Sequence, residues 1–398
     1  MNLSTKILIA LGLGIIAGLQ LGAEGAGFAK TWIGPLGTIF MNLIKMVIVP
    51  LVFSSLVMGV CGLGDVKKLG RIGFKTIALY LITTAFAIAL GIAFGVLVEP
   101  GAGLNLSTEG LKVTAKAAPP IMKVIIDIFP TNPLGAMVKA NMLQIILFAL
   151  FVGVGIVAVG EKAEALKNTI DGLAEVCYKM VGIIMSFAPF GVFGLITPVV
   201  AANGPAVLLP LLKVIICVYA GCALHALIVY GTLVSVMAKM NPMAFFKGIA
   251  PASLLAFSSC SSSGTLPLTM DCMRKMKVSQ NISSFVLPLG ATINMDGTAL
   301  YQGVCALFVA QIYGVELTGA QYMTIMLTGT LASIGTAGVP GAGFIMLTMI
   351  LTALGLPLEG SALIAGIDRI LDMPRTSVNV TGDAAVTLIV DKSEEGNE

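Results

Sequence analysis

Five ionisable residues stand in one apolar stretch near the C-terminus: Asp368, Arg369, Asp372, Arg375 and Asp383, with only apolar, small or uncharged polar residues between them. A charge at bilayer depth costs about 2.5–3.5 kcal/mol on insertion scales, so such residues face a protein interior or an ion pathway. Positions 368, 372, 375, 379 and 383 recur at intervals of four, three, four and four, which puts Asp368, Asp372, Arg375, Asn379 and Asp383 on one face of a helix. A stripe of this kind predicts binding of something charged. Arg375 offers a planar fork to a carboxylate. Asp372, one turn earlier, suits an ammonium, and Asn379 with Asp383 suits a metal cation. Asp368 and Arg369 are read as members of a structural ion-pair ladder. Pro374 has no N–H and is expected to kink the helix and free a carbonyl.

The rest of the chain places this stretch in a membrane. Of its 398 residues 57% are hydrophobic and only 11% charged, with a mean hydropathy of +0.99; a soluble domain is about 25% charged. The net charge of +3 is small and the basic residues fall in short loops, which argues against a nucleic-acid partner. Lys6 precedes an apolar run, Ile7 to Leu21, with further spans directly behind it, so the N-terminus reads as a retained first helix rather than a cleaved signal. The seven cysteines are scattered with no CxxC spacing, arguing against a disulfide frame or metal site. The single histidine, His225, lies in an apolar helix. It reads as an interior histidine rather than a proton relay, and as distant from the charged helix. No nucleophile–base pair supports an enzyme.

Six conventional spans come first, near 7–22, 34–62, 74–98, 133–160, 176–202 and 206–238. The loop with Lys67, Lys68, Arg71 and Lys75, the connections near 161–168 and 239–247, and Arg274, Lys275 and Lys277 are basic, hence cytoplasmic under the positive-inside rule. The termini are then cytoplasmic, and the loop from Glu99 to Pro120 is external. After residue 240 two hydrophobic segments are interrupted by small polar residues, Ser258 to Pro267 and Ser333 to Gly343. Each reads as a re-entrant helical hairpin, since non-helical backbone at membrane depth is tolerated only inside protein or along a cavity. Each is followed by a span, near 280–313 and 358–390. The fold class is therefore all-α, eight transmembrane helices with two re-entrant hairpins, and the repeated hairpin–span unit points to a transporter's binding site.

Three further motifs carry chemistry. Asn294-Met295-Asp296-Gly297-Thr298 should unwind the span after the first hairpin, because Asn and Asp compete for backbone bonds and Gly tolerates any φ. The exposed carbonyls with Asn294 and Asp296 suit a hard cation; a packed kink is the alternative. The serine-rich tip and the free N–H groups of re-entrant helix starts suit a carboxylate. Tyr80, Thr83 and Thr84 form a polar cluster in the third span, where hydroxyls bonding back to their own helix are the competing reading.

With these segments in place, the chain resembles the glutamate transporter family, the dicarboxylate/amino acid:cation symporters. The likeness rests on Ser261-Ser262-Ser263-Gly264-Thr265, Asn294 to Thr298, Ala337 to Gly343 and Asp372 to Asp383, and covers essentially the whole chain. It implies a homotrimer with an elevator mechanism and inverted repeats. The scaffold would be residues 1–73 and 101–203, and the mobile transport domain residues 74–100 and 204–398. The second hairpin would be the extracellular gate. By position, Arg375 would hold the substrate's side-chain carboxylate and Asp372 its amino group, with Thr298, Thr376, Asn379, Ser262 and the backbone around Val339 and Gly343 completing the pocket. One Na⁺ would sit among Gly290, Asn294, Asn379 and Asp383. A second would use Thr292, Met295, Ser333, Ile334 and Thr336. A third would use Tyr80, Thr83, Thr84, Asn294 and Asp296. Archaeal sodium–aspartate members carry an arginine just before the serine run; here Cys260 stands there, and Arg369 is expected to replace it between the first hairpin and the last helix. Within the family, Asp372 argues against a C4-dicarboxylate substrate and Arg375 against a neutral amino acid. The expected activity is Na⁺-coupled uptake of L-aspartate or L-glutamate in a prokaryotic inner membrane, with proton coupling as the alternative and an ion channel as the reading from another class.

Overall fold

In lipid a backbone N–H or C=O has no water to bond, so an apolar stretch pairs its polar groups internally by forming a helix. The computed structural model describes residues 3–62, 70–104, 126, 129–139, 141–334, 338 and 341–394. Among them every regular element is helical. Thr336 and Val339, assigned to the cation and substrate sets, lie outside the described residues, as do Lys67 and Lys68.

α1 (Leu3–Phe28) and α2 (Gly34–Gly62) are joined by a π-helical turn, Ala29–Ile33. The sequence places an open connection between residues 22 and 34. The structure instead keeps that stretch helical and breaks only at Gly22, whose φ of 56° and ψ of −171° a residue with a Cβ rarely adopts. α3 (Gly70–Val98) follows. The expected fourth span is two helices, α4 (Pro133–Val138) and α5 (Met142–Val159), with Asn141 extended between them. The expected fifth span starts earlier, as α6 (Glu164–Ser186), and bends at Phe187 into α7 (Ala188–Asn203), where Pro189 cannot donate back into α6. α8 (Leu208–Leu224), a π-helical turn His225–Tyr230 and α9 (Gly231–Val236) make the sixth.

The two interrupted segments are helix pairs. α10 (Pro242–Ser259) and α11 (Ser262–Lys275) pack together about a two-residue tip, with Cys260 left-handed at φ 55°. α14 (Gly319–Ser333) and α15 (Ala342–Leu354) are the second pair. α12 (Gln280–Ile293) and α13 (Asp296–Ile312) flank the Asn294-Met295 break. The break is shorter than expected: Asp296, Gly297 and Thr298 already belong to the first turn of α13, where a carboxylate complements the helix dipole. α16 (Ser361–Glu394) closes the chain and runs on through Pro374.

α1 lies against α7, and α2 against α5, α6 and α7. α3 lies against α13, and α16 against α8, α10, α12 and α13. The α3–α13 crossing is backbone to backbone: a Cβ on Gly303 would lie 2.8 Å from Ile92 N and 2.9 Å from Ile88 O, so only glycine fits. Large apolar side chains face outward, among them Trp32, Phe74 and Leu97 at 71%, 72% and 82% exposure. α16, which carries eight charged residues, is almost wholly buried. Outside apolar and inside charged is the inverse of a soluble protein, and follows from lipid as the solvent.

α16 has 34 residues, about 51 Å at 1.5 Å each, against a hydrocarbon core of about 30 Å, so its end projects into water. There Lys75 Nζ lies 2.8 Å from Glu394 Oε1 and 3.0 Å from Ser393 Oγ, and Arg71 also pairs with Glu394. Asp391 Oδ1 accepts from the Ser279 N–H, 3.0 Å away, at the start of α12. The Lys75 hydrogen bond, aided by Arg71 and opposed by slight burial, lowers the Glu394 carboxyl below its ordinary 4.5. A depressed carboxyl stabilises the fold above its unfolded value and loses that contribution as pH falls through the folded one. Glu394→Gln should therefore lower the unfolding temperature in detergent at neutral pH by the equivalent of about 0.2–1 kcal/mol. The difference from wild type should close in acid below that ordinary value, and at high salt.

Candidate substrate and cation site

Three helices begin at one place: α11 at Ser262, α13 at Asp296 and α15 at Ala342. Their positive dipole ends and free N–H groups suit anions. The partner helices α10, α12 and α14 end there, and present carbonyls suited to cations. Local chemistry holds the ends in place. Ser261 caps α11 by accepting from Gly264 N at 3.0 Å, and Gly341 turns into α15 at φ 85°. The two tips touch, with Ser261 Oγ 2.9 Å and Ser263 N 3.3 Å from the Gly338 carbonyl.

The charged face of α16 lies under the tips. Arg375 is fully buried. Its Nη1 and Nη2 lie 2.9 and 3.3 Å from the two oxygens of Asp368, and its Nε is 3.0 Å from Asp372 Oδ1. The guanidinium also sits 4.2 Å above the centre of the Tyr301 ring, whose hydroxyl donates to Asp368 Oδ1 at 3.1 Å. Asp372 further accepts from Thr376 Oγ1 at 3.1 Å and from Gly341 N at 3.3 Å. Gly343 borders the guanidinium: a Cβ there would lie 3.0 Å from Cζ. Between tips and helix is a crevice of about 10 Å³ lined by Cys260, Ser262, Met295, Thr298, Gly338, Ala342, Gly343, Asp372, Thr376 and Asn379. That is room for about one water. Six sequence-assigned substrate residues line this crevice, Ser262, Thr298, Gly343, Asp372, Thr376 and Asn379; Arg375 does not line it and is joined to it through Asp372. Asp368 sits in an ion pair, as the ladder reading has it, and takes the fork of Arg375.

The first cation set comes together. Asn294 Nδ2 donates to Asp383 Oδ1 at 2.9 Å and to the Asn379 carbonyl at 3.2 Å, and the Asn294 N–H bonds the Gly290 carbonyl. Asn294 Oδ1 is buried without a partner among the described residues, an unmet acceptor that a cation would satisfy. A Cβ on Gly290 would run into Asp383 and the Tyr80 hydroxyl, so glycine leaves this pocket its space. An amide, two carbonyls and a carboxylate are the hard oxygen donors that a small cation takes.

The third set shares Asn294. Thr84 Oγ1 donates to Asp296 Oδ1 at 2.6 Å, while Thr83 Oγ1 bonds back to the Tyr80 carbonyl at 3.1 Å. Asp296 Oδ2 is held by Tyr230 OH at 2.7 Å and meets His225 Nε2 at 3.1 Å. This corrects the reading of His225 as distant from the charged helix: the π-helical turn packs on α16, and the imidazole meets Asp296 at the start of α13. A histidine and a tyrosine in apolar helices give no periodic signal, and π-helical turns frequent functional sites. The second set is the least assembled. Thr292 is exposed, with its hydroxyl on the Leu289 carbonyl at 2.9 Å, and Ser333 Oγ bonds Thr330 O at 2.7 Å. Met295 Sδ accepts from Asn379 Nδ2 at 3.2 Å. Among the described residues no hydrogen bond joins Thr292 to Ser333 or Ile334.

Comparison with known proteins gives one answer. The model of the sodium:dicarboxylate symporter family matches residues 3–393. The chain belongs to the sodium:dicarboxylate symporter family. Among its relatives is a proton/sodium-glutamate symport protein of Geobacillus stearothermophilus, 38% identical over 96% of this chain and 93% of the relative. A proton/glutamate-aspartate symporter of Escherichia coli strain K12 is 37% identical over 99% and 93%. A C4-dicarboxylate transport protein of Bacillus subtilis strain 168 is 33% identical over 99% and 94%. As a member of this symporter family the chain is an integral membrane transporter that moves a small molecule with an ion.

Arg369 lies where the sequence reading put it, at the first hairpin. Its Nη2 is 3.3 Å from the Ser259 carbonyl and 3.5 Å from that of Ser258, the last carbonyls of α10. A cation there complements the negative helix end. Arg369→Ala should weaken substrate binding about threefold to tenfold, the equivalent of about 0.5–1.5 kcal/mol for a lost hydrogen bond. Unchanged affinity and transport rate in reconstituted protein would show that Arg369 does not support the tip.

Proposed function

We propose that this protein is a secondary active symporter that couples inward Na⁺ flux to uptake of L-aspartate or L-glutamate. The observation that carries it is the buried Arg375–Asp372 pair beneath two helix starts. A substrate with one ammonium and a second carboxylate uses both charges. A C4-dicarboxylate leaves Asp372 without an ammonium, and a neutral amino acid leaves Arg375 without its second carboxylate. Na⁺ is a co-substrate, with up to three per protomer at the three oxygen-rich sets. The first has the strongest support, from the unmet oxygen of Asn294 beside Asp383.

The mechanism proposed is an elevator. Residues 1–73 and 101–203 form a scaffold, and residues 74–100 and 204–398 carry the substrate across as a unit. The packing of α3 and α8 on α13 and α16, and of α1 and α2 on α5 to α7, supports that division. The eight-span, two-hairpin topology, the homotrimer and cytoplasmic termini in a prokaryotic inner membrane complete the reading. The second hairpin would open to the outside, and its tip contact at Gly338 with Ser261 is the closure it would release.

Proton coupling is the second reading. It is favoured by the names of the relatives, which include proton/sodium and proton symporters of glutamate, and by the imidazole already at Asp296. Uptake of radiolabelled L-glutamate and L-aspartate into proteoliposomes, under an inward Na⁺ gradient at fixed pH or a proton gradient without Na⁺, decides between them. Accumulation that requires Na⁺ is expected, with Asp383→Asn losing it. Accumulation with a proton gradient alone would overturn the Na⁺ assignments and leave the substrate pair standing. Arg375→Lys, which keeps the charge but not the fork, should cut acidic amino acid uptake about a hundredfold, the lower end of what disturbing a buried ion pair costs. Uptake of succinate but neither amino acid would overturn the substrate class.

A further inference from the structure

Pro374 leaves a gap in the bonding of α16. In an α-helix each N–H bonds the carbonyl four residues earlier, and proline has no N–H. The carbonyl of Ile370 therefore lacks the bond that position 374 would otherwise supply. This happens inside the charged stretch, between Asp368 and Arg375, in a helix that runs on unbroken. The hydroxyl of Tyr219, on α8, donates to that same carbonyl at 3.1 Å.

The tyrosine has a second contact. Its ring meets Phe257 of α10 edge-on, with centroids 6.4 Å apart and planes at 82°. Phe257 stands one turn before the tip of the first hairpin. Its carbonyl is 3.8 Å from the Cys260 thiol, and the next two carbonyls, of Ser258 and Ser259, face Arg369. One half-buried side chain thus joins three elements: α8, the hairpin limb α10 and the α16 turn that carries Asp372 and Arg375.

We infer that Tyr219 is a positioning residue: its hydroxyl supplies the hydrogen bond that Pro374 removes, and so holds the Asp372–Arg375 turn in register with the tip of the first hairpin. A carbonyl left unpaired between packed helices carries its full desolvation cost. Without the hydroxyl, Ile370 finds a partner only by a shift of α16, and a shift at residue 370 turns the residues on either side of it. Asp372 and Arg375 are two and five residues on. The effect on substrate affinity rests on the reading of Asp372 and Arg375 as the substrate pair; the hydrogen bond itself does not.

A double-mutant cycle on the purified full chain tests this. Tyr219→Phe keeps the ring against Phe257 and removes only the hydroxyl. Pro374→Ala returns an N–H to the helix, so the Ile370 carbonyl no longer needs Tyr219. Wild type, Y219F, P374A and the double variant are compared by equilibrium binding of L-glutamate and L-aspartate, and by thermal unfolding without ligand. Y219F should weaken binding about fivefold, near the mean worth of one hydrogen bond, and lower the unfolding temperature. In the P374A background the same change should alter neither. Equal losses in both backgrounds would mean that the hydroxyl acts elsewhere, and no loss in either would mean that it does nothing; both overturn the inference. A shift in unfolding temperature with no shift in affinity overturns the positioning role. Should P374A not fold, P374S restores the N–H and closes the same cycle. If wild type binds neither amino acid, the functional reading fails, and the unfolding half of the cycle alone decides whether Tyr219 replaces the missing bond.

Discussion

A guanidinium with no exposure to solvent has to find its counter-charges within the protein. Arg375 finds two, Asp368 end-on and Asp372 at Nε, with the face of Tyr301 beneath it. Three charged groups in apolar surroundings are tolerable only when every donor and acceptor is met in good geometry, because the desolvation of each ion is otherwise uncompensated. The surrounding architecture supplies that geometry. α13 brings Tyr301, the second hairpin brings the Gly341 N–H, and Thr376 closes the set from α16 itself. In the proposed reading, Asp372 would meet the substrate's ammonium and bound cations would offset an anionic substrate.

The breaks in the helices follow from the same constraint. A continuous helix uses its own N–H and C=O groups and has none left for a ligand. Placing chain ends at Cys260-Ser261, Asn294-Met295 and before Ala342 frees donors and acceptors at membrane depth, and each break is built from residues suited to it. Cys260 is left-handed at φ 55°, Ser261 caps the next helix, and Gly341 turns at φ 85°. Pro374 is a fourth interruption of a different kind. It costs one N–H without ending the helix, and the freed carbonyl is met by Tyr219.

Much of this was legible in the sequence, and the reason is periodicity. Residues 368, 372, 375, 379 and 383 fall on one face of any α-helix, so the face could be read before its surroundings were known. The two interrupted segments stood out because serine, glycine and proline are clustered there, whereas single prolines such as Pro50 and Pro198 leave a helix running. What could not be read was long-range pairing. Nothing local to His225 or Tyr230 says that both reach Asp296, some seventy residues on. Nothing local to Tyr219 says that it reaches Ile370. The first span ends at residue 22 in the sequence reading, where Gly22 breaks the helix; that the stretch behind it stays helical is not legible there, and it holds no proline to stop a helix. The hydroxyl of Thr292 bonds its own helix at an exposed position.

Asn379 is where the proposed substrate and cation sites become one system. Its side chain donates to Thr298 Oγ1 at 3.3 Å and to Met295 Sδ, and accepts from Gly297 N at 2.8 Å, all at the start of α13 beside the substrate crevice. Its backbone carbonyl accepts from Asn294, the residue that also bonds Asp383. A cation at Asp383 that drew on the Asn379 and Asn294 oxygens would compete with that amide bond and reorder the Asn294-Met295 break. The start of α13 would move with it, and so would Thr298 at the crevice. Binding at either locus then changes the free energy of binding at the other by the same amount, as linkage requires. In a carrier built this way, the absence of one ligand would leave the shared turn at Asn294 and Asn379 out of the arrangement that the other binds best, which would couple the two alongside the proposed gate.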